Sequence, residues 1–217
     1  MYLHYALDLW IKKVVKEQCT GVVEMVRYAD DFVICVQYKE DAIKILNALK
    51  ERLNKFKLEL AEDKTRLIEF GRFAKQNANA KDLRPATFSF LGFTHFIDRT
   101  RKGGFKLGRK TDGKKLRLKL KEMNQWLKAS RNLFPIEEIW KKLRAKLRGH
   151  FQYYGVSGNY RGIGSFEFLT KKLAFKWLNR RSQKKSFTWE SFIVYLERHP
   201  LPKLAIHHDF YTGFATT

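Results

Sequence analysis

The stretch that most restricts how this chain can fold is short, residues 22–36. Two apolar arms, Val22-Val23-Glu24-Met25-Val26-Arg27 and Phe32-Val33-Ile34-Cys35-Val36, flank Tyr28-Ala29-Asp30-Asp31. Arms of this length, rich in β-branched residues, read as strands, and the two aspartates fall where the chain must reverse. A hairpin with adjacent carboxylates at its tip is expected. Such a tip suits a divalent cation, because Mg²⁺ takes oxygen ligands and usually shares them with substrate phosphates. Aspartate is also among the commonest turn residues, so four residues alone are better explained by an ordinary turn.

Charge separates the two halves of the chain. Residues 1–98 hold 16 basic and 14 acidic side chains, whereas residues 99–217 hold 28 and 8. Nearly all of the net charge of +22 therefore lies in the second half. An excess so placed points to a polyanionic partner, most simply nucleic acid. A membrane surface fits less well, because the basic helices carry enough apolar residues to build a core of their own. No apolar run reaches the ~20 residues of a membrane span, and the N-terminus has no secretory pattern. Cys19 and Cys35 are the only cysteines and have no paired spacing. A disulfide framework and a cysteine zinc site are unsupported, and a cytoplasmic location is expected.

Periodicity supplies the remaining elements. Leu3, Leu7, Trp10, Ile11 and Val14 predict a helix over residues 2–15 that starts without a cap, as if cut from something longer. Ala42, Ile45, Leu46, Leu49, Leu53 and Phe56 predict a second helix over 40–56, with Glu40 and Asp41 in its first turn. Leu58–Leu60 and Thr65–Phe70 alternate as short strands around a polar turn at Glu62-Asp63-Lys64. Residues 87–96 alternate again, and Gly92 within them reads as a bulge or a close backbone approach. The basic, glycine-rich stretch 99–113 reads as a linker. Beyond it, four helices are expected, near 115–129, after Pro135, from Ser165, and from Thr188 to before Pro200. Trp126, Trp140 and Trp177 sit at core spacing among them. The fold class is α+β: an antiparallel sheet with packed helices, then a basic all-helical bundle.

In this order, the elements resemble the reverse transcriptases encoded by group II introns, the intron maturases. The resemblance rests on Met1 to Trp10, Tyr28 to Asp31, Lys64-Thr65, Phe90-Leu91-Gly92-Phe93, Gly149 to Gly155 and Lys176 to Arg181. No single motif is specific; the ordered set is. It implies a partial polymerase palm at 1–98, the linker at 99–113 and a helical thumb or maturase domain at 114–217. It also implies RNA-directed DNA synthesis with two Mg²⁺ ions, and assistance to intron splicing. Asp30 and Asp31 would be catalytic metal ligands, with Asp30 the more direct. Tyr28 and Ala29 would adjoin the nucleotide, Lys64 would act on pyrophosphate, and Leu91, Gly92 and Phe93 would form the primer grip.

The family draws a further aspartate from an earlier palm strand that has no counterpart here, so a companion chain carrying the fingers and that strand is one expected partner. The others are RNA, as intron or template, primer DNA, and a deoxynucleoside triphosphate once the site is complete. A second departure is Lys57, where the family tends to place a glycine at the helix end. Among the basic residues, Lys114, Arg117, Lys119, Lys121, Arg144, Arg148, Arg180, Arg181, Lys184 and Lys185 are the candidates for RNA phosphates. Each of them alone could equally be a solvated surface charge. His150 has no second ligand at helical spacing and is expected to contact core or RNA. The alternative readings are an RNA-binding module that does not polymerise, and an inactive truncated remnant.

Overall fold

The computed structural model describes residues 2–181 and 187–211. The chain divides into two compact units, Met1–Phe70 and Gly71–Thr217. This division differs from the expected one, and the reason lies in the second unit.

The first unit opens with α1 (residues 2–18), which contains two π-helical stretches, His4–Asp8 and Ile11–Val15. Hydrogen bonding from i to i+5 underwinds a helix. Leu7, Ile11 and Val15, four residues apart, thereby share the buried side, whereas Val14, expected on the inner face, is exposed. Strands β1 (Val23–Tyr28) and β2 (Asp31–Val36) pair antiparallel from Val23 opposite Val36 to Tyr28 opposite Asp31. Their inward residues Val23, Met25, Phe32, Ile34 and Val36 pack with α1 and with Ile45, Leu49 and Leu53 of α2 (Lys39–Lys55). The polar exception on the inner side of α2 is Asp41. It accepts hydrogen bonds from the Thr20 and Gly21 backbone N–H groups and the Thr20 hydroxyl, at 3.0–3.1 Å. Burial works against its charge, but these donors prevail and hold its pKa below the ordinary value.

Helix α2 ends in a Schellman motif. Leu58 N–H reaches Leu53 O (3.0 Å) and Lys57 N–H reaches Asn54 O (2.9 Å). Lys57 has φ +55°, the left-handed conformation that favours glycine. The lysine at this place is thus a local strain. The strands expected at Leu58–Leu60 and Thr65–Phe70 do not form. Leu58 and Leu60 pack on the core, but neither segment has a strand partner among the described residues.

The second unit begins with the short helix α3 (Ala74–Ala80), followed by a three-stranded antiparallel sheet, β3 (Phe88–Phe90), β4 (Phe93–Arg99) and β5 (Phe105–Thr111). The single strand expected over 87–96 is a hairpin, because Leu91 (φ +49°) and Gly92 (φ +77°) reverse the chain in two residues. Gly92 is a turn residue, not a bulge. The expected linker at 99–113 is the turn Thr100–Gly104 and the strand β5. Thr100 N–H bonds Gly104 O at 2.8 Å, and Gly103 (φ +82°) supplies the bend. Gly108 lies opposite Phe96, whose ring stands where a β-carbon would be. The segment therefore belongs to the folded unit.

Asp112 joins this sheet to the helices. Its carboxylate caps α4 (Gly113–Ser130) through the Lys114 and Lys115 N–H groups and accepts the hydroxyls of Ser89 (2.7 Å) and Thr94 (3.2 Å). Helices α5 (Ile136–Tyr154), α6 (Tyr160–Leu178) and α7 (Trp189–Arg198) complete the bundle. Helix α6 starts five residues before the expected Ser165, and it turns Phe166 and Thr170 inward, leaving Leu169 exposed. Trp140 and Trp177 are buried and satisfy their indole N–H groups on His199 O (2.7 Å) and Asn124 Oδ1 (2.9 Å). Asn159, 1% exposed, ties β5 to the bundle by taking Thr111 N–H and donating to Thr111 Oγ1 and Tyr154 O, each at 2.8 Å. No helix among the described residues is long and apolar enough to cross a membrane.

Candidate functional site

Asp30 lies on a two-residue turn, Ala29-Asp30, and Asp31 opens β2 opposite Tyr28. Ala29 has φ +54°, as the primed turns that match strand twist require. Tyr28, Ala29, Asp30 and Asp31 are all exposed.

The turn is held from beneath. Arg27 Nε and Nη2 donate to Asp8 Oδ1 and Oδ2 on α1, both at 2.6 Å, and Arg27 Nη1 donates to Ala29 O at 2.6 Å. One guanidinium therefore joins the helix to the turn in a planar, bidentate geometry. The Arg27 hydrogen bonds hold the Asp8 carboxyl below its usual range, against some desolvation and with help from His4 at 3.2 Å. Neither residue was among the sequence candidates. A signal existed: Arg27 occupies an inward position of the strand alternation, and an inward arginine requires a carboxylate.

As a metal site the hairpin is right in kind and short in number. Two oxygen donors suit a hard cation, but among the described residues no three His, Cys, Asp or Glu side chains come together to hold an ion. A two-ion centre needs more carboxylate ligands than the described residues bring together here. Lys64 lies exposed in the turn after Ala61, where Lys64 N–H and Thr65 N–H both bond Ala61 O.

The turn at Leu91-Gly92 belongs to the second unit and is gripped by α5. Tyr153 OH donates to Leu91 O (2.9 Å), and a β-carbon on Gly92 would stand 2.9 Å from Tyr154 OH. Asp112 N–H bonds Gly92 O (2.9 Å), and Phe93 is buried against Tyr153 and Tyr154. The lack of a side chain at Gly92 thus answers a tyrosine of this chain.

The basic candidates divide by their surroundings. Lys114, Arg117 and Lys121 share one exposed face of α4, and Arg148 is exposed on α5. Lys119 pairs with Glu122 at 2.9 Å. Arg144 and Arg181 donate to Pro200 O and Phe134 O, both 2.9 Å, so part of each guanidinium holds the fold together. Arg180 lies over the Trp177 ring. Lys184 and Lys185 lie outside the described residues. His150 stacks on Phe166 at 3.6 Å, and burial lowers its pKa to about 4, so it is a neutral core residue at physiological pH.

Comparison with known proteins adds one match. Residues 1–95 match the family model for reverse transcriptase (RNA-dependent DNA polymerase). The match covers the clamped Asp30–Asp31 hairpin and continues past Phe70 through the Leu91-Gly92 turn of the second unit. No curated protein and no solved structure matches the chain.

Proposed function

We propose that this chain is part of a group II intron-type reverse transcriptase with a maturase role, combining a polymerase-type carboxylate hairpin with a basic RNA-binding half. The observation that carries the reading is the hairpin: two exposed carboxylates on a turn fixed by Arg27 and Asp8, inside a segment that matches reverse transcriptases. In this reading Asp30 and Asp31 contribute oxygens to Mg²⁺, and Tyr28 and Ala29 face the incoming nucleotide. Lys64 meets pyrophosphate, and the turn at 91–93 bears on primer DNA. Carboxylates outside the described residues complete the metal shell. A second reading, in which the chain only binds RNA, rests on the basic excess of residues 99–217.

Structured RNA binding tests the part common to both. Affinity should fall steeply with salt, with a log–log slope of about −0.7 per phosphate contact on single strands. Replacing Lys114, Arg117 and Lys121 together by glutamate should flatten that slope by about two units. Affinity unchanged between low and high salt would overturn both readings. Primer extension separates them: the first requires Mg²⁺-dependent synthesis by the polymerase that contains this chain, lost in Asp30→Ala, and the second requires none.

A further inference from the structure

A groove of about 670 Å³ opens in the second unit beside the Leu91-Gly92 turn. Its walls include Phe90, Tyr153 and Phe210, and its polar side holds His95 and Arg109, which face each other across β4 and β5. One buried donor there, Arg109 Nη1, has no hydrogen-bond partner among the described residues, and the His95 imidazole lies opposite it. A buried donor or acceptor left unpaired is costly, and orphaned groups of this kind call for an explanation. An unpaired guanidinium nitrogen beside an imidazole in one apolar groove fits the usual form of a ligand pocket, aromatic walls with a few convergent polar groups. His95 is kept neutral, its pKa lowered first by burial and then by the Arg109 guanidinium, so Nδ1 donates or accepts according to tautomer. The Phe210 ring covers the guanidinium at 4.8 Å, and Phe210 is about half exposed and tied through its backbone N–H to Ser157 Oγ.

Resting on the nucleic-acid reading above, we propose that this groove takes one unstacked guanine of a single strand, its ring among Phe90, Tyr153 and Phe210 and its acceptor edge on Arg109 and His95. Guanine presents adjacent O6 and N7 acceptors, the pattern a guanidinium recognises best. Unpaired bases are commonly held by aromatic stacking together with hydrogen bonds to an edge.

The probe is an oligo-uridine with one central guanosine, compared by fluorescence anisotropy with the same strand carrying adenosine, cytidine or an abasic site there. On the full chain, the guanosine strand should bind about tenfold more tightly than the abasic one. Arg109→Lys keeps the charge but removes the planar fork, and should reduce that ratio to about twofold or less. Gly149→Leu is the second variant. Gly149 lines the groove within α5, and a β-carbon there meets nothing within 4 Å, so leucine fills the groove without harming the helix. It too should abolish the ratio, with thermal melting confirming the fold. Equal binding of all four strands, or a ratio that survives both variants, overturns the site alone. Failure of every strand to bind overturns the site and the nucleic-acid reading together.

Discussion

The two tight turns of this protein, Ala29-Asp30 and Leu91-Gly92, solve one backbone problem in opposite surroundings. Each reverses an antiparallel pair in two residues and places a residue with a side chain at positive φ. The first is exposed, carries charge, and is fixed by one guanidinium bridging to α1. The second is apolar and is fixed by Tyr153, by Tyr154 and by the Asp112 N–H. A turn that presents carboxylates to a ligand must leave its own tip open, so its support comes from below. A turn that serves as a rigid platform can be enclosed. The contrast yields an ordered set of stability effects, each readable by chemical denaturation.

The largest concerns the frame of the second turn. Asn159→Ala removes three hydrogen bonds and leaves Thr111 N–H buried without a partner, while Tyr154 O keeps the Val156 N–H. A loss of about 3 kcal/mol is expected, with the midpoint displaced and the slope unchanged. A loss under about 1 kcal/mol would show that the bundle does not depend on this joint.

Next comes the single support of the first turn. Asp8→Asn should cost about 1–2 kcal/mol, a range reduced because solvent reaches both members of the ion pair. It should also speed hydrogen exchange at Ala29 and Asp30, while the second turn stays protected. The pH dependence has a definite sign. Asp8 releases its proton more readily in the folded chain than at its ordinary value of 3.8. Its contribution is therefore complete above that value and fades as pH falls through the lower folded one. In Asp8→Asn this part of the acid sensitivity should disappear.

The second turn should be less sensitive to a single deletion. Tyr153→Phe removes only the bond to Leu91 O, at about 1 kcal/mol, because Tyr154 and Asp112 still enclose the turn. A loss equal to that of Asp8→Asn would erase the distinction between one support and several.

These elements were unequally legible in the sequence. The β1–β2 hairpin was plain, because two apolar arms rich in β-branched residues flank a turn segment of the right length. The unit boundary was not. Residues 99–113 look like a linker because Arg101 and Lys102 are at a solvated tip and Gly108 gives up its side chain to the Phe96 ring, which interrupts the alternation of β5. Pairs such as Asp8–Arg27 and Asn159–Thr111 join distant segments and leave no local period to read. The carboxylates of the candidate site were legible as residues, while their support was not.

The smallest effect tests whether strain at the first tip is functional. Ala29 occupies a left-handed conformation that costs a residue with a β-carbon about 1–2 kcal/mol, whereas glycine loses more freedom on folding. Ala29→Gly should therefore stabilise the hairpin by about 0.5–1 kcal/mol if Arg27 still grips the carbonyl. A gain in stability with slower primer extension would mean that the alanine orients Asp30 at some cost to the fold. A gain in both would mean that the strain serves nothing, and that the Arg27–Asp8 clamp alone holds the tip.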